Sequence, residues 1–236
     1  MSKTRKLNTD GLYEILADIF NTPADRGVHQ GERKISKGRA GTGINFFPSL
    51  KNMAVMPCES KLERDSCLEL EFNKSVLSYR VQPFTIQISA NEKYTPDCVQ
   101  LDNLGGYSVR EVKVSSKLKD EILSKRLTRI RNIFVNIGIG FEVKTEIELQ
   151  CGSESINRKY LYRSSHFQIN DFTKNRALKI LKAMGRTNLF EYRKSLFQHG
   201  IDLIVAEKLL FLGLVEYDYQ KLLTPMSEIW CKGEKS

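Results

Sequence analysis

The spacing of apolar residues predicts an alternation of helices and short strands along this chain of 236 residues. Residues 10–20 carry apolar side chains three and four positions apart, which predicts an amphipathic helix. Ser60 and Glu63 have the spacing of a capping box, which opens a second helix that extends to about residue 73. Four strand-like runs with turn residues between them follow, over 76–82, 84–89, 95–101 and 107–114.

Helical spacing returns over residues 118–137, and residues 141–149 alternate as a further strand. This order predicts the α/β class, with a mixed sheet flanked by helices in a catalytic domain of residues 1–168. Three helical segments and a hairpin then follow, which is the outline of a small winged-helix-like domain over residues 169–236. Residues 202–212 would be its third helix, although a small helical bundle has the same periodicity.

Residues 22–48 contain many glycines and basic residues but few apolar ones, which predicts a flexible basic arm. Its candidate contacts to DNA phosphates are Arg26, Arg33, Lys34, Lys37 and Arg39. A solvated linker that binds nothing is an equal alternative. Residues 150–165 are expected to form a loop.

The formal net charge of +9 indicates a polyanionic partner, with nucleic acid favoured over a membrane surface. Residues 59–113 reverse this balance, with seven basic and nine acidic residues, as a divalent-metal site within a nucleic-acid enzyme would require. Chance also produces so small an excess. The absence of a long apolar stretch argues against insertion in a membrane. Five scattered cysteines favour a reducing cytoplasm over a disulfide framework or zinc site.

The candidate chemistry lies in two neighbouring predicted strands. Asp97 and Glu111 can face each other across the predicted hairpin, within reach of one cation. Period-two alternation places Lys113 on the same face as Glu111, and Glu63 would add a third carboxylate from the preceding helix. Such a group can hold magnesium and orient a water at a phosphodiester.

Each of these residues also has a simpler interpretation. Glu63 can be only the acid of the capping box, and Asp97 can be a polar residue after a turn proline. Glu111 and Lys113 can belong to a solvated strand face. A PD…ExK pattern with wide spacing also arises by chance.

The order of the longer segments is more specific than this pattern. SKLERD opens a helix, a strand ends in Gln82-Pro83, and YTPD, EVK and GIGFEVKTEIEL follow. Together with the terminal LLFLGLVEYDYQKLLTPMSEIW, this series resembles the TnsA family, the endonuclease subunits of heteromeric bacterial transposases. The resemblance covers most of residues 55–230. Cys98 departs from the family, in which an aromatic or aliphatic residue more usually follows the aspartate.

The resemblance implies a restriction-endonuclease-like fold with a metal site. Glu63, Asp97, Glu111 and the main-chain carbonyl of Val112 would hold two Mg²⁺ ions, for which Mn²⁺ can substitute. Lys113 would polarise the attacking water. Gln82 matches a strand position of the family, where it either contacts the metal site as a second layer or shapes the sheet.

The resemblance also implies a role and partners. The chain would cut the non-transferred strand at the 5′ ends of a transposon, on double-stranded DNA. It would act with a DDE-family transposase and, through its C-terminal domain, with an AAA+ ATPase regulator. The alternatives are a free-standing restriction- or repair-type endonuclease of the same fold and a non-catalytic DNA-binding adaptor.

Overall fold

Residues 5–6, 9–32 and 45–233 are described by the computed structural model of this chain. The chain divides into two units, Met1–Gln150 and Cys151–Ser236. The sequence predicts a domain boundary after residue 168, whereas the structure divides the chain after Gln150. The helix Gly152–Ser165 therefore belongs to the second unit.

The first unit contains nine strands, four α-helices and a short 3₁₀ helix among its described residues. The strands are β1 (Arg5–Lys6), β2 (Asn45–Ser49), β3 (Ala54–Cys58), β4 (Val76–Val81), β5 (Ile86–Ser89), β6 (Glu92–Tyr94), β7 (Cys98–Asp102), β8 (Tyr107–Val112) and β9 (Gly140–Lys144). The helices are α1 (Thr9–Asn21), α2 (Lys61–Phe72), the 3₁₀ helix Ser115–Lys119, α3 (Glu121–Asn136) and α4 (Glu146–Gln150).

The central sheet has the order β4-β7-β8-β9. β4, β7 and β8 are antiparallel neighbours, whereas β9 runs parallel to β8. Of the two smaller sheets, one has the order β1-β5-β6 and the other pairs β2 with β3. The α/β prediction is confirmed: this is a mixed sheet flanked by helices, consistent with a restriction-endonuclease-like fold.

The apolar core lies on one face of the central sheet, against α1 and α3. Val99 and Val109 are paired across β7 and β8, and Val109 is paired with Phe141 on β9. Leu16 from α1 and Phe134 from α3 are buried in the same cluster. Because side chains alternate along a strand, this packing fixes which residues of β7 and β8 face the opposite side.

Two expectations about residues 141–165 are wrong. The strand predicted over 141–149 ends at Lys144, because Thr145 and Glu148 form a capping box that starts α4. The loop expected at 150–165 is instead helix α5 (Gly152–Ser165).

The described part of the expected flexible arm is held in place by backbone hydrogen bonds. Residues 25–28 form a tight turn, in which the N–H of Val28 donates to the carbonyl of Asp25 over 2.9 Å. The N–H of His29 donates to Val55, and that of Glu32 donates to Gln82. Asn45–Ser49 forms β2. The prediction of a flexible segment is therefore wrong for residues 22–32 and 45–48.

The second unit begins with α5. Its other elements are α6 (Asp171–Met184), β10 (Thr187–Asn188), α7 (Leu189–Gln198), α8 (Ile204–Phe211), β11 (Val215–Tyr217) and β12 (Glu228–Cys231). The three strands form an antiparallel sheet of order β10-β12-β11. The winged-helix assignment stays a prediction. No helix in the described ranges is long and apolar enough to cross a membrane.

Candidate active site

The pairing of three strands brings the predicted residues together at one end of the central sheet. Val81 is paired with Cys98, and Cys98 with Arg110. One position further along, the N–H of Gln82 donates to the carbonyl of Asp97 over 3.1 Å. The same register places Asp97 opposite Glu111, so Gln82, Asp97 and Glu111 form one row across β4, β7 and β8.

The ammonium group of Lys113 lies among three oxygen atoms of this site. Its Nζ is 3.0 Å from Asp97 Oδ2 and 2.6 Å from Glu111 Oε1. It also donates to the main-chain carbonyl of Val112 over 3.1 Å. The lysine ammonium therefore contacts both carboxylates and the carbonyl that, according to the family resemblance, would bind a metal.

Both carboxylates are oriented by further hydrogen bonds. The N–H of Val112 donates to Asp97 Oδ2 over 2.8 Å, so this oxygen accepts from the backbone of β8 as well as from the lysine. The hydroxyl of Tyr94, a buried residue of β6, donates to Glu111 Oε2 over 2.7 Å. The sequence analysis assigned no role to Tyr94, although it begins the YTPD segment on which the resemblance rests.

The charges at the site shift one another's titration. Burial, and then the charge of Asp97, raises the pKa of the Glu111 carboxyl, while Lys113 partly offsets this rise. Burial lowers the pKa of Lys113, but Asp97 and Glu111 together outweigh it and leave the pKa above its usual value. Lys113 is therefore a charged ammonium at neutral pH.

Glu63 lies at the start of α2, where it completes the predicted capping box. The N–H of Glu63 donates to Ser60 Oγ over 3.1 Å, and the Ser60 hydroxyl donates back to Glu63 Oε1 over 3.0 Å. Its other carboxylate oxygen accepts from the N–H of Glu59. Burial, and then the charge of Asp97, raises the pKa of Glu63 to about 7. Glu63 is thus within electrostatic reach of Asp97 but forms no ion pair with Lys113.

The donors around the ammonium suit a hard divalent cation. Two carboxylates and a carbonyl are the oxygen ligands that Mg²⁺ takes in proteins, and the lysine ammonium stands in for a cation there. No cluster of three or more His, Cys, Asp or Glu suited to a metal occurs in the described ranges. Glu63 is engaged in its helix cap instead, so the three predicted carboxylates do not converge on one point.

Gln82 has an unusual environment for a polar residue. Its side chain is only 4% exposed, and its Nε2 has no hydrogen-bond partner among the described residues. Its φ of +44° lies in the left-handed region, which a residue with a side chain rarely adopts. Gln82 contacts Asp97 through the backbone, and its assignment as a second-layer residue stays a prediction.

The candidate DNA contacts are only partly described. Arg26 is exposed in the turn at residues 25–28, with a φ of +49°. The other four, Arg33, Lys34, Lys37 and Arg39, lie outside the described residues.

The opposite face of β8 carries a separate buried charge. Arg110 is 1% exposed, and it pairs with Glu69 over 2.5 Å and with Glu142 over 2.6 Å. It also donates to Ser66 Oγ over 3.3 Å. Arg110 thereby joins α2 to β8 and β9, and these contacts hold the strand that carries Glu111.

Residues 73–146 match the family model described as TnsA-like endonuclease N terminal. The matched segment, which is similar to that family, includes Gln82, Asp97, Glu111 and Lys113 but begins after Glu63. The match indicates a nuclease related to transposition. A comparison with curated proteins gave no match.

Proposed function

We propose that this chain, TnsA-like over residues 73–146, is the magnesium-dependent DNA endonuclease subunit of a cut-and-paste transposase. It would hydrolyse the non-transferred strand at the 5′ ends of the transposon, acting with a DDE-family transposase and an AAA+ regulator. The observation that carries the proposal is the position of Lys113. Its ammonium bridges Asp97 and Glu111 and touches the carbonyl of Val112.

Asp97, Glu111 and the carbonyl of Val112 would hold the metal. A divalent cation at this place would neutralise the carboxylates and lower the pKa of a bound water. Lys113 would then shift from the carboxylates toward the attacking water or the phosphate, where its positive charge stabilises the developing negative charge. Tyr94 keeps Glu111 oriented through its second oxygen.

Glu63 would join the metal site by a shift toward Asp97, since each of its oxygens accepts one hydrogen bond and keeps a lone pair for a metal. Its carboxylate accepts hydrogen bonds from Ser60 and from the backbone of Glu59, and both hold it at the start of α2. Its proximity to Asp97, expressed in its raised pKa, supports a place in the outer part of the site.

The C-terminal unit would engage the protein partners. Its order of three helices, α6, α7 and α8, with a three-stranded antiparallel sheet supports the winged-helix-like assignment. Most of α8 is buried within the unit, including Val205, Ala206 and Leu209, so it offers little surface for a DNA groove. This burial supports a role in protein contacts rather than in base recognition.

The test is strand cleavage in a reaction reconstituted with the two partner proteins and transposon-end DNA. Asp97→Ala should reduce 5′-strand cleavage by about a thousandfold or more, because it removes a proposed ligand and one of the two carboxylates that contact Lys113. DNA binding should persist. Glu121→Gln, at an exposed acidic residue of α3 that forms an ion pair with Lys125, is the control and should cut normally.

Three other results would reject the proposal. Normal cutting of both strands by Asp97→Ala would show that the site lies elsewhere. Efficient cutting of ordinary duplex by the isolated chain with Mg²⁺ would favour the free-standing nuclease. Cleavage that is absent with every partner, with transposition unaffected by Lys113→Ala, would favour the adaptor.

A further inference from the structure

A buried arginine near the candidate site has no acidic partner in the described part of the chain. Arg80 on β4 is 9% exposed. Among the side chains that the structure describes, no carboxylate forms an ion pair with it. An unpaired charge is costly to bury, and burial lowers the pKa of this guanidinium from its usual value.

The contacts of Arg80 use only part of its hydrogen-bonding capacity. Nη1 donates to Asn52 Oδ1 over 2.8 Å and to the carbonyl of Tyr79 over 3.1 Å, and Nη2 donates to the carbonyl of Phe20 over 3.1 Å. Nε is buried and has no partner among the described residues. A guanidinium has five N–H donors, so donors remain for an anion.

Arg80 lines a cleft of about 200 Å³ between the end of α1 and the turn at residues 25–28. Thr22, His29 and Gln30 contribute polar atoms to its wall. Asp25 also lines the cleft, yet it forms no ion pair with Arg80. Burial, and then the charge of Arg80, lowers the pKa of His29 to about 4, so this imidazole is neutral at pH 7 and does not repel the guanidinium.

The cleft is close to the candidate active site. Arg80 is paired with Val99 across the strands, and Gln82 lies opposite Asp97 one row further along the same face. Two residues along a strand span about 7 Å. Arg80 therefore lies two residues along the chain from the row that carries Asp97 and Glu111, on the edge strand β4 of the central sheet.

A purely structural role explains part of this arrangement. The Phe20 carbonyl belongs to the last turn of α1, and a cation there interacts favourably with the helix dipole. That interaction involves only a partial charge, and it leaves Nε without a partner. Binding of an oxyanion through the second N–H of Nη2 would supply the missing negative charge.

We propose that the cleft at Arg80 is a phosphate-binding site. The phosphate is that of the DNA backbone next to the cut strand, or a free phosphate ion. The first source rests on the proposed nuclease function, whereas the second does not.

The experiment uses a matched pair of variants at His29. His29→Glu places a carboxylate beside Arg80 as an internal counter-ion, while His29→Gln has nearly the same shape without the charge. Inorganic phosphate should raise the melting temperature of the wild type and of His29→Gln. It should have no effect on His29→Glu, whose own melting temperature without phosphate should be the highest of the three.

DNA binding distinguishes the two sources. The DNA-binding constant is measured at several salt concentrations in EDTA, which prevents cleavage. The logarithm of this constant should fall less steeply with the logarithm of the salt concentration for His29→Glu than for His29→Gln. The two slopes should differ by about 0.9, which corresponds to one phosphate contact. The affinity should fall about tenfold. A phosphate effect without this change in slope would identify free phosphate as the ligand.

Arg80→Met tests the same site directly and should lose the phosphate response, but it can also impair folding. The His29 pair does not depend on that variant. If phosphate stabilises none of the proteins and the salt slopes agree, the site does not exist. An equal loss of the response in His29→Gln would also overturn the proposal, because that change leaves the charge of Arg80 intact. The phosphate measurement involves no DNA, so failure of the nuclease proposal would not affect it.

Discussion

The raised pKa of Glu63 predicts an unusual effect of removing its charge. The pKa rises from its usual 4.5 to about 7, through burial and then through the charge of Asp97. Between these two pH values the folded chain holds a proton that the unfolded chain has released. The contribution of Glu63 to stability is therefore full at about pH 4.5 and is lost as the pH rises to 7.

Glu63→Gln should consequently stabilise the metal-free protein at pH 8. Each pKa unit corresponds to about 1.4 kcal/mol, so the shift is equivalent to about 3 kcal/mol. A carboxylate at the start of a helix contributes about 0.3–1 kcal/mol, which the amide gives up. The variant should therefore be more stable than the wild type by about 2 kcal/mol at pH 8, with little difference at pH 4.5.

Urea unfolding in EDTA, followed by far-ultraviolet circular dichroism at the two pH values, measures this difference. Fluorescence is less suitable, because the single tryptophan, Trp230, lies in the second unit. A variant that is less stable than the wild type by the same amount at both pH values would refute the reasoning. Added Mg²⁺ should stabilise the wild type more than the variant if Glu63 is a ligand.

Three further substitutions, at two residues, test the charges on either face of β8. Lys113→Met leaves Asp97 and Glu111 without their shared cation, and should lower the metal-free free energy of unfolding by about 3 kcal/mol. Mg²⁺ should raise the free energy of unfolding more for this variant than for the wild type, because no ammonium competes for the carboxylate oxygens. An equal increase for both proteins in a urea titration would contradict this. Arg110→Met should cost about 2–4 kcal/mol in the same titration, since it leaves two carboxylates without their cation. Arg110→Lys should recover part of that loss, and a Met variant within 0.5 kcal/mol of the wild type would show that the pairs contribute little.

The strands around the candidate site are predictable because their signals are local. Alternating side chains and the turn at residues 102–106 determine the hairpin of β7 and β8, and the hairpin places Asp97 opposite Glu111. A capping box likewise marks the start of α2. The contacts of Tyr94 and Arg80 depend on residues distant in the chain, so no local pattern indicates them.

The errors also have physical causes. Helix α5 buries several polar residues, which obscure its apolar stripe; the hydroxyls of Ser164 and Ser165 donate to carbonyls within the helix. Residues 22–32 have the composition of a flexible segment, but backbone hydrogen bonds to β3 and to Gln82 hold them. Amino-acid composition does not predict such bonds, because the backbone N–H of any residue other than proline can donate them.

The adjacent charges of β8 have a consequence for folding. Arg110 and Glu111 face opposite sides of the sheet, and each meets groups of the other sign. A shift of the strand by one residue would turn Glu111 toward Glu69 and Glu142, and would turn Arg110 away from both. Repulsion among these carboxylates, together with the loss of the Arg110 pairs, would penalise that misfolded arrangement more than lost apolar contacts alone. The salt bridges of Arg110 thus protect the accuracy of strand pairing during folding, in addition to joining elements of the folded protein.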